Sequence, residues 1–444
     1  MHGSQIASQP KAAPVQSESP VSRLEFVLLF IVLLVFSEGI LPRLVSSDEV
    51  ADGSPLLRYL WLPIYAIAGL GLVWKAREVA RVCLRLPFLM ALLLVCGLSF
   101  IWSIDPGLTQ RRSLAIIMTS AAGLYLGTRY SWQTMLRVLG LLWLTVGLAS
   151  FLTALLSPDF GRVHEIHVGA WKGLYYEKNQ LGGHMARAAL IVAFLWVMDR
   201  KWRPLWTGGF LLSTGLVLLT TSKTSLLGLL LGLGILALGA WMKRGIRTSL
   251  STLWIGAVLG GIVLAVFVFA SDLIFALLGR DASLTGRTDI WITLVDYIEQ
   301  RPLFGYGYGA FWAPESVPGN WVRETLQWDA PTAHNGWLEV AIALGLVGLV
   351  LLSLDFIQNS VRAVLAAIHT WTGLFALAFL GQFFLFSLSE SASLQQNSIV
   401  WLIYVALAAK LSMRPKGLVA VKRVWRRQGL GSQAPVRPGL ASRI

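Results

Sequence analysis

The sequence predicts an all-α polytopic membrane protein with about 12 transmembrane helices and a large structured outer (periplasmic) loop. Three observations carry this prediction. Hydrophobic residues make up 55% of the 444 residues and charged residues only 14%, whereas a soluble domain has about 25% charged residues. Long apolar runs recur along the chain, and a spanning helix needs about 20 such residues. Lys and Arg, which give a net charge of +14, concentrate in alternate connections between these runs.

Twelve stretches have the length and hydropathy of a membrane span. Eight of them contain no Asp, Glu, Lys or Arg, although residues 113–128 are a shorter run, and the other four are interrupted by ionisable residues such as Glu38, Arg187 and Glu339. The predicted spans are residues 24–41, 56–74, 86–104, 113–128, 138–158, 181–198, 204–222, 224–242, 248–271, 335–354, 363–389 and 391–409.

The distribution of basic residues predicts the orientation. If the N-terminus lies inside, 24 of the 37 Lys and Arg residues fall in inside segments, as the positive-inside rule requires. The sequence therefore predicts a disordered cytoplasmic tail (1–23), a transmembrane domain (24–413) and a basic cytoplasmic tail (414–444). The positions of most basic residues are explained by the membrane topology. We therefore interpret the basic C-terminal tail as a solvated segment near anionic lipid, in preference to a nucleic-acid-binding segment at Lys422–Arg427.

The predicted outer loop, residues 272–333, is too long for a simple connection. Loops of this length are functional or disordered, and its many Trp, Tyr, Phe and Gly residues argue against disorder. Within it, residues 287–300 are predicted to form an amphipathic helix, because Ile290, Trp291, Leu294 and Ile298 recur at helical spacing. A glycine-rich turn with aromatic side chains follows at residues 305–309.

Three polar points stand out against the apolar background. His334 lies where the chain re-enters the membrane, one turn before Glu339. Residues 177–180 precede a span that contains His184 and Arg187. Lys223 stands alone in a short connection on the predicted outer side. Ionisable groups at membrane depth are functional candidates, although an interfacial His can cap a helix and a Lys can extend to the surface.

Five stretches, taken in order, resemble the O-antigen ligase and polymerase family of bacterial membrane proteins. They are WSIDPGLTQRRS, YYEKNQLGG, TTSKTSLLG, GRTDIW followed by RPLFGYGYG, and AHNGWLEVAIALGLVGL. The EKNQLG stretch favours the exopolysaccharide polymerase branch over the branch that ligates glycan to lipid A-core.

The resemblance implies a multi-pass glycosyltransferase of the bacterial inner membrane. Such an enzyme takes glycan from undecaprenyl diphosphate on the periplasmic face and joins it to a glycan or lipid-linked acceptor, with no metal and no other cofactor. A flippase and a chain-length regulator are the protein partners that the resemblance implies, and no nucleic acid is expected.

Carried onto this sequence, the family's functional residues are His334 and Arg287, as catalytic residues, and Lys223, where the family more often has Arg. A His is suited to accept the acceptor's proton near neutral pH, and cations suit the diphosphate. The further predicted substrate-binding residues are Arg111, Arg112, Lys178, Asn179, Arg187 and Glu339, of which Glu339 is also placed to orient the His.

Two other classes of function remain open at this point. A polysaccharide-related transporter fits twelve spans, but the sequence shows no inverted halves, and the long aromatic loop favours an enzyme. A glycan hydrolase needs two carboxylates that flank the scissile bond, and the spacing of the acidic residues in the loop selects no such pair.

Overall fold

A computed structural model describes residues 21–39, 55–164, 167–245, 287–327 and 329–413, together with five scattered positions between 247 and 254. In these ranges the regular structure is helical, and no strand is present apart from one isolated bridge between Arg162 and Trp171. The helices used below are α1 (Arg23–Phe36), α2 (Pro55–Trp74), α3 (Ala76–Cys83), α4 (Pro87–Leu98), α5 (Pro106–Arg129), α6 (Trp132–Leu156), α7 (Lys178–Met198), α8 (Arg203–Leu219), α9 (Lys223–Met242), α10 (Arg287–Gln300), α11 (Val317–Leu326), α12 (Gly336–His369), α13 (Trp371–Ser387) and α14 (Ile399–Ser412).

Four of the described helices, α6, α7, α9 and α12, are long and apolar enough to cross a membrane, and α2 and α3 make a fifth candidate if they form one span bent by 90°. The helices α4, α13 and α14 are apolar but shorter. The prediction of an all-helical, multi-pass membrane protein is therefore confirmed. The number twelve stays a prediction, because the span at 248–271 and both tails lie almost wholly outside the described residues.

Several predicted span boundaries differ from the helix boundaries. The run that was expected to end at residue 354 continues as α12 to His369, and the helix expected to begin at residue 363 begins at Trp371. A polar residue in this continuation is bonded inside the protein: Oδ2 of Asp355 accepts hydrogen bonds from the Tyr404 hydroxyl (2.6 Å) and from the Asn359 amide (3.1 Å). Conversely, the span expected to begin at residue 391 begins only at Ile399, so residues 388–398 form a polar loop.

The centre of the helical assembly is formed by α7 and α14, which are buried along most of their length. Helix α7 packs against α6, α8, α9 and α13, and α14 packs against α5. The approach of α5 to α14 requires glycine, because a Cβ at Gly123 or Gly127 would lie 2.6 Å from a carbonyl oxygen of α14. Small residues at helix contacts are a general means of close packing in membranes.

The described part of the predicted outer loop folds around a small core of its own. Helix α10 occupies residues 287–300 as predicted, with Ile290 and Leu294 buried on its apolar face. These two side chains pack with Tyr306, Phe311 and Val322, so the face contacts protein and not lipid.

Helix α12 is broken at Gly345, and the break is filled by the segment from Pro302 to Gly309, here named the bridging segment. An unbroken helix would pair the amides of residues 346 and 347 with the carbonyls of residues 342 and 343. Instead, these amides donate to the carbonyls of residues 302 and 303, while the two carbonyls accept from the amides of residues 306 and 307, at 2.7–3.2 Å. Two hydrogen bonds within α12 are thus replaced by four hydrogen bonds between α12 and the bridging segment.

Glycine is required on both sides of this junction. Gly345 has φ +65°, and a Cβ there would lie 2.3 Å from the carbonyl carbon of Leu303. Gly305 has φ +65° as well, and its Cβ would lie 2.6 Å from the carbonyl oxygen of Ile342. The other side of the bridging segment is bonded to the turn after α4, where Ile104 N donates to Tyr306 O at 3.1 Å.

We expect Gly345→Ala to lower the free energy of unfolding by more than the ~1–2 kcal/mol that a left-handed backbone costs a residue with a Cβ, because the methyl group also collides with Leu303. Thermal unfolding of the purified protein in detergent measures the effect. The control is Gly234→Ala in α9, where no atom lies within 4 Å of the new Cβ and alanine is the better helix former. Equal melting temperatures for the two variants would contradict this account of the break.

Candidate functional site

A cavity of about 900 Å³ lies between the helices and the folded loop. It brings together most of the residues that the sequence singled out. Six of the nine predicted site residues line it, namely Arg111, Arg112, Asn179, Arg187, His334 and Glu339. The predicted site residues outside its lining are Lys178, Lys223 and Arg287.

One side of the cavity carries two arginines of α5. This helix begins after Asp105, whose carboxylate accepts from Leu108 N at 2.9 Å and caps the first turn. Arg111 is exposed, and Arg112 donates from Nη1 to the carbonyl oxygen of Gly309. Gly309 permits this contact, because its φ is +71° and a Cβ there would lie 2.5 Å from Cδ of Arg112. The bridging segment therefore positions Arg112.

The floor of the cavity contains a buried cation, Arg187 of α7. Arg187 is only 4% exposed, and its guanidinium lies 4.3 Å from the ring centroid of Phe386. Its Nε has no hydrogen-bond partner among the described residues. A buried charge is expensive unless it is paired. One turn earlier, His184 packs between the rings of Tyr175 and Trp143, at 4.9 and 4.8 Å. Glu38 and Glu390 interact electrostatically with this cation, and an anion bound in the cavity would add to that compensation.

The wall beside Arg187 carries His334 and a carboxylate that the sequence did not single out. Glu390, in the loop between α13 and α14, places Oε2 3.6 Å from Nδ1 of His334 and Oε1 3.2 Å from Nη2 of Arg287. The second arm of the Arg287 fork donates to the carbonyl oxygen of Ser389 at 2.5 Å. Arg287 thus fixes the Glu390 carboxylate, which faces the imidazole of His334. Arg287 itself does not line the cavity, so it acts on the site through Glu390.

His334 is held in an unusual backbone conformation at the start of α12. Its φ is +48°, in the left-handed region that few residues with a side chain adopt. The next residue, Asn335, caps the helix by accepting from the amides of Trp337 (3.0 Å) and Leu338 (3.2 Å). Strain of this kind persists where the surroundings enforce it, often at functional sites.

Glu339 stabilises the wall of the cavity by hydrogen bonds to three different segments. Its carboxylate accepts hydrogen bonds from the amide of Ala333, from the indole of Trp312 (3.1 Å) and from the hydroxyl of Ser391 (3.2 Å). It therefore joins α12 to the segment before His334 and to both neighbouring loops. The carboxylate next to the imidazole is that of Glu390, while Glu339 acts on His334 through the backbone of Ala333.

Four ionisable residues within the predicted spans converge on this cavity. His184 and Arg187 come from α7, Glu339 comes from α12 and Glu38 follows the end of α1, and all of them line it. The sequence rule that ionisable groups at membrane depth mark a site therefore located its floor.

Sequence reasoning missed the residues that loops contribute. Glu390 lies in SESASLQQNS, a polar stretch between two apolar runs, and that interruption was the available signal. The loop before α12 adds Trp312, Arg323 and Asp329 to the lining, and no local motif marks them.

Two further predicted site residues, Lys178 and Lys223, lie outside the cavity lining. Lys223 is the first residue of α9 and is exposed, and Lys178 places Nζ 3.4 Å from the hydroxyl of Thr221 in the same connection. Their substrate-binding roles stay predictions. In the part of the chain that is described, no three His, Cys, Asp or Glu residues are grouped so as to hold a metal ion.

Comparison with known proteins agrees with the resemblance seen in the motifs. Residues 208–353 match the O-antigen ligase family. The chain is also 27% identical, over 311 residues, to the exopolysaccharide production protein ExoQ of Rhizobium meliloti (strain 1021). This alignment covers 66% of the present chain and 67% of ExoQ. The resemblance to the O-antigen ligase and polymerase family, with its exopolysaccharide branch, is therefore confirmed, and it supports a membrane glycan polymerase or ligase.

The geometry predicts that the buried Arg187 controls anion binding in the cavity. We expect Arg187→Ala to weaken the binding of inorganic pyrophosphate to the purified protein about tenfold or more, because one charge-assisted contact is lost. The control is Lys201→Ala, which removes an exposed cation outside the cavity lining and should bind as the wild type does. Isothermal titration in detergent measures both constants, and unchanged binding by Arg187→Ala would remove it from the anion site.

Proposed function

We propose that this relative of membrane glycan ligases and polymerases is an exopolysaccharide polymerase. It transfers glycan from undecaprenyl diphosphate to the sugar of an acceptor, at the periplasmic face of the inner membrane and without a metal ion. The observation that carries the proposal is the convergence of His334 with the cations of two other helices, Arg112 of α5 and Arg187 of α7, in one cavity.

The donor's diphosphate is assigned to the cations of the cavity. As the bond between the anomeric carbon and the phosphate oxygen breaks, the electron pair stays on the leaving diphosphate, which gains charge. Arg111, Arg112 and Arg187 are positioned before the reaction, so they stabilise that charge without having to reorganise. Leu62, Leu108 and Leu114 line the same cavity and supply apolar surface for the first part of the polyprenyl chain.

The acceptor's proton is assigned to His334. The acceptor oxygen forms a bond to the anomeric carbon of the donor sugar and passes its proton to the imidazole. Glu390 faces Nδ1 and stabilises the imidazolium that results, and Arg287 holds Glu390 in place. The distance of 3.6 Å between Nδ1 and the carboxylate is long for a hydrogen bond, as catalytic contacts often are before substrate binds.

The proposal includes the predicted topology of twelve spans with both termini in the cytoplasm. In that arrangement α10 and α11 and the bridging segment lie on the outer side, and so does the start of α12 with His334. The distribution of Lys and Arg supports this orientation.

We expect His334→Ala to reach normal levels in the membrane but to lower polymer synthesis by a factor of roughly 10²–10⁴, the usual contribution of a general base. Polymer yield is measured in cells that lack the native gene, at matched protein levels. The control is His164→Ala, since His164 is exposed and lies outside the cavity lining. Normal polymer from His334→Ala would exclude it as the base.

Reporter fusions test the topology. Alkaline phosphatase fused after Asn320 should be active, because that position is expected to face the periplasm, whereas fusions after Arg244 or after Lys416 should be silent. Expression of each fusion is checked by immunoblot. An active fusion after Lys416 would overturn the proposed topology.

A further inference from the structure

One wall of the cavity differs in chemistry from the rest. It is formed by the loop between the bridging segment and α12, and it exposes an indole, an amide and a carboxylate: Trp312, Asn320 and Asp329. The helical walls carry the arginines and several leucines, together with polar side chains such as Asn179 and Gln180. We call the group Trp312, Asn320, Arg323 and Asp329 the loop wall.

Arg323 organises the loop wall. Its Nη1 donates to Asn320 Oδ1 at 2.7 Å, its Nη2 to the carbonyl of Trp312 at 2.9 Å and its Nε to the carbonyl of Ala330 at 3.2 Å. The same Nε lies 3.1 Å from Oδ1 of Asp329. Since every nitrogen of the guanidinium has an acceptor within the protein, Arg323 is a support for its neighbours, and its charge is balanced by Asp329.

Asp329 and Trp312 are the two side chains of the loop wall that remain open to a ligand. The Asp329 side chain is 94% exposed although one of its oxygens is bonded to Arg323, and a carboxylate offers about four lone-pair positions. The Trp312 ring is held by three contacts: Nε1 donates to Glu339 at 3.1 Å, Phe311 packs against it at a centroid distance of 5.1 Å, and the Arg323 guanidinium lies 5.8 Å from its centroid. A rigid aromatic surface beside a hydrogen-bond acceptor suits a pyranose, which has apolar C–H groups and hydroxyl donors.

The loop wall is connected to the proposed base by a short chain of contacts. Glu339 accepts from both the Trp312 indole and the amide of Ala333, the residue before His334. The Thr332 hydroxyl, which also lines the cavity, accepts from the His334 amide at 3.4 Å. The loop wall and His334 thus line the same cavity and are joined through Glu339 and Ala333.

We propose that the loop wall is the subsite for the terminal sugar of the acceptor and that it selects a sugar without negative charge. The inference rests on the proposed function. Trp312 packs against the C–H face of the sugar and Asp329 accepts hydrogen bonds from its hydroxyls. Asp329 also repels a carboxylate or phosphate on the same sugar, so selection uses both an attraction and a repulsion.

The test compares Asp329→Asn with Glu324→Gln, which changes an exposed carboxylate of α11 outside the cavity lining. The probe is the oligosaccharide released by mild acid from the lipid-linked glycan of cells that lack this gene. Its equilibrium binding to the purified full-length proteins is measured without donor. Initial transfer rates are then measured with the lipid-linked glycan as donor and the oligosaccharide as acceptor.

We expect Asp329→Asn to weaken oligosaccharide binding and to raise the acceptor KM about tenfold, since it removes the charge from one hydrogen bond. The donor KM should stay the same, and discrimination against an oligosaccharide whose terminal sugar has been oxidised to a carboxylate should be reduced. Glu324→Gln should match the wild type in every measurement.

The outcomes separate this inference from the proposed function. Binding by Asp329→Asn equal to that of the wild type, or a loss confined to kcat, would overturn the acceptor subsite while transfer by the wild type still stands. The opposite outcome is that the wild-type protein transfers no glycan but binds the oligosaccharide, and that Asp329→Asn weakens this binding. That result would overturn the polymerase proposal and keep a sugar subsite at the loop wall.

Discussion

Four backbone hydrogen bonds between the bridging segment and the break in α12 hold the candidate site together. A backbone group at membrane depth has no water to bond, so a helix can open there only if another part of the protein supplies partners. The bridging segment supplies them from residues 302, 303, 306 and 307. It also leads to Gly309, whose carbonyl receives Arg112. The position of that cation and that of the loop before His334 therefore depend on the same few bonds.

Three cations of the cavity come from long helices: Arg111 and Arg112 from α5 and Arg187 from α7. Two of its carboxylates join distant parts of the chain, because Glu339 of α12 binds the segment before His334 and Glu390 lies between Arg287 and His334. A helix fixes the position of its cation relative to the other helices, whereas the loop that carries Glu390 brings a carboxylate to a cation and an imidazole far away in sequence.

The sequence predicted the elements whose signal is local. Helix α10 matches its predicted range because its apolar spacing and the Arg301-Pro302 stop are both contained in the segment. Arg187 and Glu339 were found because an ionisable residue is conspicuous in an apolar run. Glu390 was missed because its importance comes from Arg287, 103 residues away in the chain. The length of α12 was also missed, because Asp355 accepts a hydrogen bond from Tyr404 of another helix, and this partner is not visible in the local sequence.

The exchange of bonds at Gly345 also constrains the order of assembly. The bridging segment leaves the ribosome before α12 does, and the four bonds cannot form until both have reached their places. The final conformation at Gly345 therefore depends on two segments that are about 40 residues apart in the chain, and the break in α12 can be completed only after both of them have been synthesised.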